Sequence, residues 1–410
     1  MTRPASGSQP GEPALITRGA AGSRPPEALY VHVPFCVSLC PYCDFVVVAG
    51  LAARGPRNRV AAFLAALRRE LELRADALDV RWGPVPGDAA AVETLSRTAR
   101  SPLASLYLGG GTPSLLPAEE IAGIMELVRR RYGLSDDAEV TLEANPGPDE
   151  RGDAAALRAA GVTRISFGAQ ALDDATLRVL GRRHHARDVA AAISDARNAG
   201  IPSLNLDLLY DVPGQTVAAW AGTLEAALDL RPDHLSLYAL TLDDPDAEGL
   251  TGPTGDHLPV TRGARRWRGA VRGQDEDRAA AMYHHAVQRL AEAGFEGYEI
   301  SNWARPGHES RHNLAYWERR PYEAVGPGGH AFDGATRRWN AARLDPYVAA
   351  LTPIDGGPGR LPQGGEEVVD ADAAAVEAVI LGLRTSRGIP VAASCRPPLA
   401  DHFDWALTGG

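Results

Sequence analysis

The sequence contains no lysine, so all 42 basic residues are arginines, and 52 acidic residues outnumber them. The formal net charge of -10 argues against a nucleic-acid surface, which would need clustered positive charge. No uncharged apolar run reaches the roughly 20 residues of a membrane-spanning helix, so no integral membrane segment is predicted. Cysteine is scarce, and four cysteines in 410 residues cannot form a disulfide scaffold. This scarcity predicts a reducing, cytoplasmic location.

Short apolar runs alternate with longer stretches of helical period from Ala28 onward. The strand candidates are residues 28–33, 105–110, 139–144, 164–169, 203–210 and 234–240. Helical stretches lie between them at 59–78, 117–132, 153–161, 186–200 and 216–230. This alternation is typical of α/β proteins with a parallel sheet. Six units favour a partial (β/α)6 barrel, and the pattern leaves an open doubly wound sheet as the alternative.

Composition divides the chain into four parts. Residues 1–27 are rich in Pro, Gly and Ser and predict a disordered lead. The alternating segments place the barrel at 28–245, and the Gly-, Asp- and Arg-rich residues 246–277 predict a linker or insertion. Residues 278–410 then form a smaller C-terminal α+β domain.

Three of the four cysteines lie in "HVPFCVSLCPYCDF" (32–45), where Cys36, Cys40 and Cys43 follow the spacing C-x-x-x-C-x-x-C. A redox pair would leave one of the three thiols unused. A closed zinc site needs a fourth ligand, for which the candidates are the remote Cys395, His32 and Asp44. An iron–sulfur cluster fits better, because three thiolates leave one iron open for a ligand. The spacing therefore favours a cluster, with zinc as the alternative.

Polar or glycine-rich residues follow the predicted strands at the point where each strand ends. The endings read "GGGTP", "EANP", "GAQ" and "DLLYDVPG", and the first strand leads into the cysteines. In α/β folds the functional site is built at the carboxyl ends of the strands. We therefore expect these endings to surround one shared site that includes the thiols.

The cysteine spacing, with Tyr42 before the last thiol, resembles that of the radical S-adenosylmethionine (SAM) enzymes. The resemblance implies that Cys36, Cys40 and Cys43 hold a 4Fe–4S cluster whose open iron binds SAM. In that superfamily the cluster reduces the sulfonium and generates a 5′-deoxyadenosyl radical. The cofactor supplies the chemistry, and the protein binds and orients it.

The series "YVHVPFC", "CPYC", "GGGTPSLL", "LEANP", "SFGAQ", "LGRRH" and "LNLDLLYDVPGQT" resembles the oxygen-independent coproporphyrinogen III oxidase family. The likeness covers most of residues 28–245 and resumes at 296–334. Matched by position, it implies that the SAM site is lined by Tyr30, Tyr42, Gly110, Gly111, Thr112, Glu143, Gln170, Arg182, Asp207 and Thr241.

Two features distinguish between branches of that family. The oxidases resemble C-x-x-x-C-x-x-C-x-C, whereas Phe45 stands at the last cysteine position here. The run "HNLAYW" (312–317) resembles the H-N-x-x-Y-W signature of a heme chaperone branch, which implies heme binding by His312, Asn313, Tyr316 and Trp317. Histidine is a common axial ligand of heme. By residue chemistry alone, this run could equally cap a turn and pack an interface.

The resemblance thus implies a protein that binds heme and passes it to an acceptor protein of unknown identity. The alternative is an oxidase that decarboxylates coproporphyrinogen III propionates to vinyl groups. Because relatives continue beyond "LGLRTSRGIPV", we expect a shortened C-terminal domain. The sequence leaves open whether the chain forms a homodimer.

Overall fold

The computed structural model describes residues 22–43, 45–50, 58–85, 100–240, 275–353, 357 and 359–390. Its strands are β1 Ala28–Val33, β2 Phe35–Cys36, β3 Val48–Ala49, β4 Leu103–Gly110, β5 Leu134–Ala144, β6 Arg164–Gln170, β7 Ser203–Tyr210, β8 His234–Ala239, β9 Glu296–Glu299, β10 Asn302–Ala304, β11 Tyr322–Val325, β12 His330–Phe332, β13 Thr336–Asn340 and β14 Gln363–Val368. All six predicted strands are present, and β4 and β5 begin earlier than the pattern indicated.

The helices in the same residues are α1 Asn58–Trp82, α2 Ala118–Arg131, α3 Ala154–Ala160, α4 Asp174–Val179, α5 Ala186–Asn198, α6 Val217–Asp229, α7 Glu276–Glu292, α8 Arg311–Trp317, α9 Leu344–Leu351 and α10 Ala371–Gly382. Several begin at a side chain that accepts a backbone N–H, as Asp153 does for α3 and Thr216 for α6. None of these described helices is both long and apolar enough to cross a bilayer.

The parallel strands lie side by side in the order β1-β4-β5-β6-β7-β8 within one 12-stranded sheet. The order never reverses, as it would in a doubly wound sheet. The sheet does not close on itself, because β14 and β9 are its edge strands. The predicted partial (β/α)6 barrel is confirmed.

The two faces of the parallel strands differ sharply in polarity. Every second residue is apolar and packs against the helices, as Leu106, Ile165 and Leu206 do with Phe63 and Trp220. The opposite face lines the barrel and carries polar side chains that are buried or nearly so: His32, Tyr107, Thr141, Glu143, Arg164, Ser166, Asn205, Asp207, His234 and Ser236. The barrel interior is therefore a hydrogen-bonded polar space, which can hold a polar ligand.

The C-terminal third of the chain extends the same sheet at both edges. Strands β10 and β9 add antiparallel to β8, while β11 pairs parallel with β1 and is followed by antiparallel β12 to β14. At the other end of the chain, the backbone N–H of Arg24 donates to the Asp333 carbonyl at 2.8 Å. Arg24, near the end of the predicted disordered N-terminal segment, is thus hydrogen-bonded to the C-terminal extension of the sheet.

Candidate functional site

The three thiols lie on one loop that leaves the carboxyl end of β1. Cys36 is in β2, which pairs with β3, so the chain returns beside its own start. Between them the Cys43 N–H donates to the Cys40 carbonyl at 3.1 Å. All three cysteines are half-buried, and none of them forms a disulfide. The short β2–β3 pair therefore closes the loop, which we call the cysteine loop (36–47).

The "GGGTP" ending of β4 is bonded directly to the start of this loop. Gly111 N–H donates to the Val33 carbonyl at 2.8 Å, and Thr112 N–H donates to the Phe35 carbonyl at 2.7 Å. The Thr112 hydroxyl donates to the Cys36 sulfur at 3.7 Å. A Cβ at Gly111 would lie 2.7 Å from the Phe35 oxygen, so this approach requires glycine.

Arg182 reaches the loop from the segment between α4 and α5. Its Nη1 donates to the Cys40 sulfur at 3.3 Å, and its Nη2 donates to Asn145 Oδ1 at 2.5 Å and to the Gly168 carbonyl at 2.8 Å. Its buried Nε has no hydrogen-bond partner among the described residues. The preceding Gly181 (φ +68°) lies against Pro41. Arg182 thus places a fixed positive charge beside the thiols.

The "GPGG" turn (326–329) supports the loop from the other side, which the sequence did not reveal. A Cβ at Gly326 (φ +97°) would lie 2.3 Å from the His32 carbonyl oxygen, and one at Gly328 would lie 2.9 Å from the Val46 side chain. Glu70, buried on α1, accepts the Gly326 N–H at 2.9 Å and the Tyr347 hydroxyl at 2.7 Å. This turn and Glu70 therefore hold the cysteine loop against β1.

The environment of Cys36 favours its neutral thiol. Burial raises the pKa of the Cys36 thiol to about 12, the Thr112 hydrogen bond lowers it, and Cys43 and Cys40 raise it further. Cys43 and Cys40 affect the pKa of Cys36 because the three thiols lie close together. Because only the thiolate binds metal, cluster assembly at this loop must release protons.

Glu143 and Asp207 face each other inside the barrel near the same end. Glu143 accepts from the Tyr107 hydroxyl at 2.8 Å and from the Gly110 N–H at 2.9 Å. Burial raises the pKa of Glu143 to about 7, the Tyr107 hydrogen bond lowers it, and the Asp207 charge raises it. Burial likewise raises the pKa of Asp207. Two carboxyl groups that are costly to ionise here can accept hydrogen bonds from a ligand's amino or hydroxyl groups.

The other predicted cofactor residues lie around this space. Gln170 ends β6 with φ +64°, a left-handed conformation uncommon outside glycine. The Tyr30 hydroxyl is 3.0 Å from His32 Nδ1 inside the barrel. Tyr42 packs against an apolar cluster that includes Leu180 and Leu209. Thr241 lies outside the described residues.

The described residues contain no group of three or more His, Cys, Asp or Glu side chains arranged around a single metal ion. His32 is not available as a fourth ligand, because its Nδ1 meets the Tyr30 hydroxyl and its Nε2 lies 2.7 Å from the Val46 carbonyl. Asp44 and Cys395 lie outside the described residues. Three thiols on one loop, beside Arg182 and a glycine cradle, fit a multi-iron cluster, in which each thiolate binds a different iron.

His312 lies at the opposite end of the barrel from the thiols. Its side chain is 1% exposed, Nδ1 is 3.0 Å from the Ser105 hydroxyl and Nε2 is 2.8 Å from the Tyr316 hydroxyl. Burial lowers the pKa of His312 to about 3. The Asn313 N–H donates to the side chain of Ser310, which caps α8. Tyr316 and Trp317 are half-buried. For His312 to bind heme iron, one of its two hydrogen bonds would have to break.

His312 belongs to a segment, residues 298–312, that closes this end and that we call the barrel floor. It is bonded to one inward side chain from each of five strands, and all five side chains lie at or near the amino end of the parallel ladder. The pairs are Ser105–His312, Glu139–Ser310, Arg164–His308, Ser203–His308 and His234–Tyr298. The floor is thus bonded across five parallel strands at one end of the barrel, and the thiols lie at the other end.

Comparisons with known proteins agree with this arrangement. The model of the Radical SAM superfamily matches residues 30–227. A Mycobacterium tuberculosis protein named "Heme chaperone HemW" is 38% identical over 369 residues, which are 90% of this chain and 84% of the relative. A Synechocystis protein of the same name is 31% identical over 374 residues, 89% and 79% of the two chains.

A bovine relative, "Radical S-adenosyl methionine domain-containing protein 1, mitochondrial", is 36% identical over 371 residues, covering 88% of this chain and 74% of the relative. Among solved structures, coproporphyrinogen III oxidase (HemN) from Escherichia coli matches with a TM-score of 0.69 over 93% of this chain and 80% of that one. At 24% identity this likeness shows a shared fold.

A partial barrel with three thiols on the loop after its first strand defines a radical SAM protein, and the superfamily implies a 4Fe–4S cluster and SAM. Within this superfamily the chain belongs to the HemW family.

Proposed function

We propose that this protein is a heme chaperone, which binds heme and passes it to an acceptor protein while carrying a 4Fe–4S cluster and SAM. One observation carries the proposal: in a chain whose relatives are named heme chaperones, the cysteine loop continues after its three thiols into Phe45, which is 60% exposed. An exposed apolar side chain at that place suits contact with an apolar ligand.

Under this proposal Cys36, Cys40 and Cys43 hold the cluster, with Arg182 and Thr112 bonded to two of the sulfurs. The glycines Gly110 and Gly111 let a bound SAM lie against backbone, and Glu143 and Asp207 accept its hydrogen bonds. The cluster and SAM together supply one-electron reduction of a sulfonium when they are bound. The chain's own residues bind and orient SAM and the cluster, and they exclude water.

The proposal predicts that heme added to the full-length protein changes the heme absorption spectrum in a saturable way. The oxidase alternative predicts instead that anaerobic incubation with coproporphyrinogen III, SAM and a reductant yields protoporphyrinogen. We expect saturable heme binding and no such product in parallel samples of one cluster-loaded preparation. Absence of any spectral change with heme would refute the chaperone proposal, and sustained turnover would establish the oxidase.

The raised pKa of Glu143 predicts that SAM affinity depends on pH. Ionised Glu143 accepts hydrogen bonds from ligand donors more strongly than the neutral acid does. With a pKa of about 7, its ionised fraction rises from about one tenth at pH 6 to about nine tenths at pH 8. Equilibrium dialysis should therefore show up to about tenfold tighter SAM binding at pH 8, and Glu143→Gln should flatten this dependence.

The same carboxyl also affects folding stability, and the sign can be worked out. Its folded pKa of about 7 exceeds the ordinary value of 4.5. The stability that the protonated group contributes is therefore complete below the ordinary value and is lost as pH rises through about 7. Glu143→Gln should reduce this loss in ligand-free protein, and a variant that keeps the wild-type pH dependence of both binding and unfolding would contradict the assignment.

The acceptor protein is unknown, and we propose a cytoplasmic site of action. The net charge of -10 disfavours nucleic acid as a partner. Whether the chaperone works as a homodimer can be measured by sedimentation with and without heme.

A further inference from the structure

Heme iron needs an imidazole nitrogen with a free lone pair, and the three buried histidines on the inner face of the barrel and its floor, His32, His234 and His312, do not offer one. The hydrogen bonds of His312 and His32 occupy both nitrogens of each ring. His234 is engaged in the same way, by Asn205 and by the Tyr298 hydroxyl. A heme ligand is therefore better sought outside the barrel interior.

His330, the first residue of β12, is exposed and differs from these rings. Its Nδ1 lies 2.9 Å from the Gly328 carbonyl, which can only accept, so Nδ1 carries the proton. The lone pair is then on Nε2, and no described residue bonds to it. Histidines that bind metals commonly donate the other ring N–H to a backbone carbonyl in this way, which fixes both tautomer and ring orientation.

Two further contacts hold the imidazole in place. Its ring stacks on Trp339, the cross-strand neighbour on β13, with centroids 5.8 Å apart and 23° between the planes. Gly364 and Gly365 on the next strand leave room for that indole, since a Cβ on Gly365 would lie 2.5 Å from it. The ring is thus held by a hydrogen bond and a stacking partner, although it is exposed.

His330 also lies at the end of the sheet where the cysteine loop is. Strand β11 runs parallel to β1, so the "GPGG" turn that follows it is at the carboxyl end of the barrel. Gly328, whose carbonyl holds the imidazole, is in contact with Val46, and Val46 follows the exposed Phe45. A planar, largely apolar ligand bound to His330 would therefore lie next to apolar side chains of the cysteine loop.

We propose that His330 is the axial ligand of the heme iron and that Phe45 and Val46 form part of the surface against which the porphyrin lies. This inference rests on the proposed heme-binding function. The role of His312 is then structural: its hydrogen bonds hold the barrel floor against the amino end of the barrel.

The test compares heme titrations of the full-length wild type with His330→Ala, His312→Ala and His185→Ala. His185 is a matched control, because it is also exposed and its Nδ1 is bonded, to Asp174 at 3.1 Å, but charged residues surround it. We expect His330→Ala to weaken heme binding at least about tenfold, a loss typical when metal-site contacts are removed. We also expect it to lose the histidine-ligated absorption and EPR signature, which added imidazole should restore.

His185→Ala should titrate like the wild type, and His312→Ala should keep the histidine-ligated spectrum. Wild-type spectra and affinity in His330→Ala would overturn the assignment, as would loss of ligation in His312→Ala alone; in both cases the proposed function would stand. Absence of heme binding by the wild type would refute both. His330→Gln and far-UV circular dichroism separate loss of the ligand from misfolding, because the glutamine variant should fold normally and still lack the signature.

Discussion

Alanine at Cys36, Cys40 or Cys43 is expected to reduce the iron and sulfide that the protein binds after anaerobic reconstitution to background. Each single change should suffice, because a cluster held by only two thiolates exposes a second iron to solvent and exchange. The reduced-state EPR signal should disappear with the metal. Iron and sulfide analysis of the three purified variants measures this directly.

Cys395→Ala is the matched control, since it removes the chain's remaining thiol outside the C-x-x-x-C-x-x-C spacing. It should keep the wild-type iron content and EPR signal. Wild-type content in any one of the three loop variants would show that the thiol in question is not a cluster ligand. Zinc in place of iron and sulfide in the wild type would instead favour the zinc alternative.

Gly326→Ala is expected to destabilise the protein strongly and to impair cluster binding. Alanine in the left-handed region costs about 1–2 kcal/mol. Its Cβ would in addition lie 2.3 Å from the His32 carbonyl oxygen and 2.9 Å from the His32 Cβ, so backbone must move. Overpacking of this kind typically costs about 1–3 kcal/mol more. Because the displaced residue precedes the cysteine loop, the thiols should shift with it.

Gly307→Ala separates the two contributions. Gly307 has a similar φ of +84°, but a Cβ there would meet nothing within 4 Å. Gly307→Ala should therefore lower the free energy of unfolding only by the cost of placing alanine in the left-handed region. It should keep the wild-type iron content. The difference between the two variants in denaturant-induced unfolding measures the steric part. Equal free energies of unfolding and equal iron content would show that the "GPGG" turn does not position the loop.

Most of the barrel could be predicted, because its signals are local. The strands β1 and β7 have the predicted bounds, and α2, α3 and α6 differ from prediction by one residue at each end. Apolar periodicity determines these elements, since each must bury one face. Short elements were missed: α4 is six residues long and β2 and β3 are two residues each. Such segments form because their neighbours hold them, so they lack a periodic signal of their own.

The candidate site was only partly accessible from the sequence. Gly111, Thr112 and Arg182 were predicted as SAM-site residues, and the structure brings them to the cysteine loop; there Thr112 and Arg182 bond to cysteine sulfurs. Asn145 was missed as the bridge between Arg182 and Thr112, although it stands in the quoted "EANP" ending. The polar inner face was also readable in "SLNLDLLY", where Asn205 and Asp207 alternate with leucines.

The sequence by itself determined the family, the chain positions of the barrel strands and the three thiols, because each depends on residues close together in the chain. Only the tertiary structure decided that "HNLAYW" begins at the amino end of the barrel, in the barrel floor, while "GPGGH" reaches the cysteine loop. Both motifs come after the barrel strands in the chain, and their positions depend on which strands they meet. The parallel pairing of β11 with β1 carries the "GPGG" turn to the carboxyl end. Hydrogen bonds to Ser105 and Glu139 hold the floor at the amino end. Such long-range contacts arise only when the whole sheet assembles, so no local pattern records them.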